Sequence, residues 1–125
     1  DKFTRIDQAI ASMAAITASR LGVRGVVALT ESGYTALWMS RAMTNLPIFG
    51  LSRSQTSMRK MTLYRGVHPL WFKFELAQHH LLEEELLAFL VKLELFNPGD
   101  QVVITRGDRI GVNGHANCMK ILKTT

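Results

Sequence analysis

Hydrophobic and polar positions change their period several times along the chain, and each change marks an element. Residues 8–19 carry no charge. Ile6, Ile10, Met13 and Thr17 recur at helical spacing on one stripe, and Ala11, Ala15 and Ala18 form a second, small-residue face nearly opposite. Thr4 as N-cap, with Asp7 three residues on, predicts the start of this helix, and Gly22 predicts its end. A surface helix ordinarily carries charge on its outer side. Either this one is covered on both faces within the domain, or its alanine face packs on something outside these residues.

Gly25-Val26-Val27-Ala28-Leu29 is a short, continuous apolar run, the pattern of a strand buried on both faces. The polar turn 30–35 follows, then a helical pattern through Met43. The same unit repeats: a strand at 46–51, a cap at Ser52-Arg53-Ser54, a helix to about Leu63, and a third strand from Gly66 to Phe74. Two successive strand–turn–helix units predict a parallel sheet with right-handed crossovers. Residues 79–95 form the clearest amphipathic helix, with Leu82, Leu86, Phe89, Leu90 and Leu93 inward and Glu83, Glu84, Lys92 and Glu94 outward. Asn97-Pro98-Gly99-Asp100 stops it. A fourth strand at 101–105 and a last one at 118–122 are joined only by a loop holding Gly107, Gly111 and Gly114, so they pair antiparallel. The expected sheet has five strands, mostly parallel, with one antiparallel.

Composition narrows the class. The chain has 125 residues with 47% hydrophobic and 20% charged, enough for a single core without disulfides. The single thiol, Cys118, excludes a disulfide framework and suits a reducing, cytoplasmic setting. No apolar run reaches the roughly 18 residues of a membrane span. The net charge is +5, and it belongs to the first half: residues 1–66 hold nine Lys/Arg against three Asp/Glu, and residues 67–125 hold six against seven. No aromatic stacking platform interleaves with the basic residues, which argues against nucleic acid.

No catalytic constellation stands out. Glu83-Glu84-Glu85 fan around a helix and read as a solvated face, not as a facing acid pair. His79-His80 lack a second ligand pair at metal spacing, His68 in an apolar strand reads as a hydrogen-bonded structural histidine, and Cys118 reads as a small packed residue. Anion binding is better supported. Thr30, Ser32, Gly33, Tyr34 and Thr35 sit where a strand ends and a helix begins, so unpaired amides, hydroxyls and the positive end of the helix dipole meet. A simple helix cap is the competing reading. Arg53 falls on the same rim, and the three-glycine loop brings Arg106 and Arg109, whose guanidiniums can fork onto phosphate oxygens. The loop is neither a Walker A loop nor a dinucleotide fingerprint. Glu31 opposes a highly charged anion.

The segments 29–36, 52–56, 63–69 (Leu-Tyr-Arg-Gly-Val-His-Pro), 99–103 and 114–117 resemble, in order and spacing, the C-terminal domain of pyruvate kinase. The resemblance spans essentially the whole chain, as one domain, 1–125. Its Thr-Glu-Ser-Gly form is similar to the bacterial type activated by sugar monophosphates or AMP. The resemblance implies a three-layer α/β/α sandwich without catalytic residues. The parent enzyme's barrel and lid domains, with Mg²⁺ and K⁺ for phosphoryl transfer from phosphoenolpyruvate to ADP, lie outside this fragment, so no cofactor is expected on it. It implies a regulatory role: Thr30, Ser32, Gly33 and Thr35 match a loop that holds an effector phosphate, and the loop around Arg109 matches the flap over it. It also implies a tetramer assembled partly through this domain. The alternative is an assembly-only domain with an empty effector loop. Ala116 replaces the family's usual threonine, and Glu31 stands where bisphosphate-binding members have a base.

Overall fold

In the computed structural model, described for residues 6–42, 45–73, 81–107 and 116–125, the chain alternates strands and helices. The elements are α1 (Ile6–Leu21), β1 (Val26–Leu29), α2 (Tyr34–Arg41), β2 (Ile48–Ser52), α3 (Gln55–Met61), β3 (Val67–Trp71), α4 (Leu82–Lys92), β4 (Gln101–Arg106) and β5 (Cys118–Lys123). The strands form one sheet in the order β3-β2-β1-β4-β5. Only β4 and β5 run antiparallel, with Val103 opposite Ile121. The expected fold class is the one observed. Thr4, Met43, Phe74, His79, His80, Arg109, Gly111 and Gly114 lie outside the described residues.

The connections fix the layers. From β1 the chain steps through α2 to β2 and through α3 to β3, then returns through α4 to β4 on the other side of β1. Right-handed crossovers then require α4 to lie on the opposite sheet face from α2 and α3. The two cores agree: Leu82, Leu86, Leu90 and Phe96 bury against Val27, Leu51 and Ile104, while Ala11, Ala14, Ala18, Met39 and Met61 bury against Val26, Ala28 and Val103. Strand order reverses between β1 and β4, and in an open α/β sheet the crevice outside the carboxyl ends at such a point is where ligands bind.

α1 corrects both sequence readings of its faces. Its alanines are the inward side: Ala11, Ala14, Ala15 and Ala18 are fully buried by the domain itself. The larger apolar residues face out, with Ile6 69% and Met13 52% exposed. Methyl side chains let the helix backbone approach the sheet, which isoleucine would hold off. Two further expectations change. Leu93, expected inward, is exposed because α4 has ended one residue earlier. His68, expected to be a hydrogen-bonded structural histidine, is exposed, and its ring rests 5.8 Å from that of Phe49. Cys118 is half-buried on β5, as expected.

Helix ends explain the remaining boundaries. Ser54 caps α3 by accepting from the Ser57 amide at 3.2 Å. α1 and α4 end alike. Val23 and Gly22 donate to the carbonyls of Ala18 and Ser19, and Leu95 and Glu94 to those of Leu90 and Val91, the paired bonds of a Schellman motif. The motif needs a left-handed residue. Gly22 supplies it freely at φ 69°, whereas Glu94 holds φ 62° against its own Cβ. Glu94→Gly is therefore expected to stabilise the domain by about 0.5–1 kcal/mol, read as a raised urea midpoint with an unchanged slope.

The turn after α4 is stapled to the C-terminus. Thr124 Oγ1 donates to the Asn97 carbonyl and accepts from the Asp100 amide, and the Thr124 amide donates to the Asp100 carbonyl. Asp100 Oδ2 accepts from the Asn97 amide and from Arg24 Nε, each at 2.8 Å. That amide bond, against some desolvation and with help from Arg24, holds the Asp100 carboxyl below its usual range.

Candidate functional site

The turn between β1 and α2 is built by its own hydroxyls. Gly33 takes φ 86° and ψ −5°, a left-handed conformation that a side chain would strain, and it aims the next amides along the axis of α2. Thr30 Oγ1 accepts from the Gly33 amide at 2.9 Å, and Ser32 Oγ accepts from the Tyr34 amide at 3.2 Å. The capping reading is thus part of the geometry. Both hydroxyls keep a proton to donate. The first intrahelical bond runs from the Leu37 amide to the Gly33 carbonyl. The amides of Thr35 and Ala36 precede it and have no acceptor within the helix. Thr35 is buried, Ser32 half-buried and Tyr34 exposed, with Lys60 Nζ 5.9 Å from the Tyr34 ring centroid.

Arginines flank this turn on both sides. Arg53 follows β2 directly, and its Nε donates to Glu31 Oε1 at 2.7 Å. Glu31 is held in turn through its carbonyl, which accepts from Ser57 Oγ. Sequence spacing put Arg53 on the rim but gave no sign that Glu31, on the adjacent turn, occupies it. On the other side, the register Val26↔Val103, Val27↔Ile104, Ala28↔Thr105 brings the end of β4 beside the end of β1, so that Arg106 follows at the level of Leu29. The Asn117 amide donates to the Arg106 carbonyl and closes the neck of the loop between β4 and β5. Arg109 lies outside the described residues, so its place beside the turn stays an expectation.

Glu83 was expected in a solvated face, and it is instead a shared counter-ion. Its Oε2 accepts from Arg106 Nη1 at 3.1 Å and from Lys120 Nζ at 2.8 Å. Burial works against ionisation there, but the hydrogen bond and charge of Lys120, followed by those of Arg106, outweigh it and hold the carboxyl below its usual value. This role had no local signal. Glu83 meets Arg106 and Lys120 only once α4 lies across the ends of β4 and β5.

Among the described residues no cluster of His, Cys, Asp and Glu is placed to hold a metal. No described helix is long and apolar enough to cross a membrane. A pocket of about 360 Å³ lined by Ser40, Arg65 and His68 opens at the amino ends of β2 and β3, the rim opposite the turn. The carboxyl rim gathers two first-turn amides, two hydroxyl donors, and Arg53 and Arg106 after the neighbouring strands, each arginine already paired with a carboxylate, Glu31 and Glu83 respectively.

The family model described as the pyruvate kinase alpha/beta domain matches residues 8–122. The chain is 40% identical over 124 residues to "Pyruvate kinase" of Buchnera aphidicola subsp. Baizongia pistaciae, covering 98% of the chain and 26% of that protein. It is 36% identical over 122 residues to "Pyruvate kinase II" of Salmonella typhimurium, covering 97% and 25%. With "Pyruvate kinase" of Sporosarcina psychrophila the figures are 35% over 121 residues, 97% and 20%. The chain thus spans about a quarter or less of the length of these curated relatives.

Proposed function

Because this chain belongs to the pyruvate kinase alpha/beta domain family, we propose that it is the regulatory domain of a pyruvate kinase and binds a phosphorylated effector at the turn between β1 and α2. The observation that carries this reading is the coincidence of three things at one place: the reversal of strand order, the open first-turn amides of α2, and Arg53 and Arg106 on either side. Thr30, Ser32 and the amides of Thr35 and Ala36 bind the phosphate oxygens, and Gly33 admits them to the backbone. Arg109 closes from the loop that follows β4. The effector is a sugar monophosphate or AMP and not a bisphosphate, because Glu31 neutralises Arg53, the arginine on the β2 side. Bound effector shifts the parent enzyme between states through its unequal affinity for them.

Calorimetric titration with ribose 5-phosphate, glucose 6-phosphate, AMP and fructose 1,6-bisphosphate tests the reading. At least one monophosphate is expected to bind, more tightly than the bisphosphate. Ser32→Asp is expected to weaken it at least about tenfold by setting a carboxylate against the phosphate. Absence of binding by all four, or a Ser32→Asp variant that binds as well as the parent, rejects it.

A contribution to assembly has its own support. Ile6, Met13, Ile16 and Leu21 leave an apolar strip on the outer side of α1, with the exposed Arg20 at its C-terminal end. It fits the tetramer that the family resemblance implies.

A further inference from the structure

We propose that Lys60 is the cation that meets the phosphate at the turn between β1 and α2, and that the ring of Tyr34 holds it there. The inference rests on the phosphate reading above and names a binding residue for it. An anion at this turn needs a positive charge that no other group has cancelled. Arg53 donates to Glu31 and Arg106 to Glu83, so each arginine spends its charge in an ion pair. Lys60 differs from both. It is exposed, and among the described residues no carboxylate pairs with it.

α3 brings Lys60 to the turn. Ser57 Oγ of this helix donates to the Glu31 carbonyl, and Met61 packs so closely on Gly33 that a Cβ there would stand 3.2 Å from Met61 Cγ. Lys60 immediately precedes Met61 in the last turn of the helix, and its Nζ is 5.9 Å from the centroid of the Tyr34 ring. Tyr34 is the first residue of α2, so the ammonium stands beside the helix end whose amides are open. The ring orients Lys60 by its quadrupole and carries no net charge, so the positive charge remains available to an anion. The contact also restrains a long, flexible side chain before a ligand arrives, which lowers the ordering cost of binding. A single ammonium is a compact point charge with three donors. It suits one phosphate group, and a second would find Arg53 already paired.

The test is calorimetry of the chain with inorganic phosphate, with circular dichroism confirming that each variant is folded. Lys60→Met keeps most of the side chain's length and removes its charge; at an ionic strength of about 0.05 M it is expected to weaken phosphate about fivefold. At about 1 M salt, where charges are screened within about 3 Å, the deficit is expected to fall below about twofold. Lys60→Arg is expected to bind within about twofold of the parent. Tyr34→Leu is expected to weaken phosphate about twofold in the parent and not at all in a Lys60→Met background. Parent-like affinity in Lys60→Met overturns the proposal and leaves the phosphate site standing. A Lys60→Met deficit that salt does not reduce, or that Lys60→Arg shares, also overturns it, since the side chain would then act through packing. A Tyr34→Leu loss of the same size in both backgrounds overturns the role given to the ring. If the parent chain does not bind phosphate, the site itself is refuted and the proposal falls with it.

Discussion

Phe96→Ala is expected to destabilise the domain by about 3–5 kcal/mol, the usual cost of truncating a fully buried phenylalanine and leaving a cavity. Phe96 is 1% exposed although it lies in the connection after α4 and not in a helix or strand. Its ring meets Phe49 edge-on at 5.9 Å, tying the α4 layer to β2. The neighbouring turn is pinned by Asp100, Arg24 and Thr124, so the backbone cannot easily collapse into the space. For a domain of this size the loss lowers Tm by more than about 10 °C. Leu63→Ala, at a leucine 85% exposed, is the control and is expected to change Tm by less than a degree or two. A Phe96→Ala variant as stable as the control would mean that the α4 core does not depend on this ring.

Ala15→Arg is expected to abolish cooperative folding. Ala15 is fully buried on the inward side of α1. An arginine there introduces both excess volume and an unpaired charge beneath a helix that lies close to its sheet, and each alone costs several kcal/mol in a domain whose whole stability is about 5–15 kcal/mol. Met13→Glu, two residues earlier but on the outer side, is expected to leave the unfolding midpoint within about 1 kcal/mol of the parent. Its effect is expected on association instead, read by sedimentation velocity of the parent enzyme. If Ala15→Arg unfolds normally and Met13→Glu does not fold, the orientation of α1 is reversed from the one described.

The pair shows where sequence reasoning about α1 goes astray. Hydrophobicity favours burying Ile6 and Met13, and spacing correctly puts them opposite Ala11, Ala15 and Ala18. What decides the direction is steric: a helix lying over β1 and β4 and beside α2 needs small side chains, and that requirement is a property of the neighbours. Strands were easier to read. Val26 to Leu29 and Gln101 to Arg106 are each bounded by turn residues, and their apolar runs need no tertiary information to be recognised. The turn at Thr30–Thr35 was legible for the same reason, since hydroxyls and glycine between a strand and a helix are a local pattern. The ion pairs were not. Glu31 takes Arg53, and Glu83 takes Arg106 and Lys120, across distances in sequence that only the packed layers close. Arg109 was chosen from a glycine-rich segment outside the described residues, so the flap over the site rests on the resemblance alone.

The order β3-β2-β1-β4-β5 also bears on how the chain is made. Within this domain β1 is the first strand to be synthesised, and β2 can join it soon after. Its other neighbour is β4, with Val26 paired to Val103, so one side of the central strand stays uncovered until the last quarter of the domain has been synthesised. At roughly 5–20 residues per second the nascent chain carries that open edge for several seconds. Val26, Val27, Ala28 and Leu29 are then an apolar strand in search of a partner, and a chaperone or rapid completion of the chain decides whether the partner is β4.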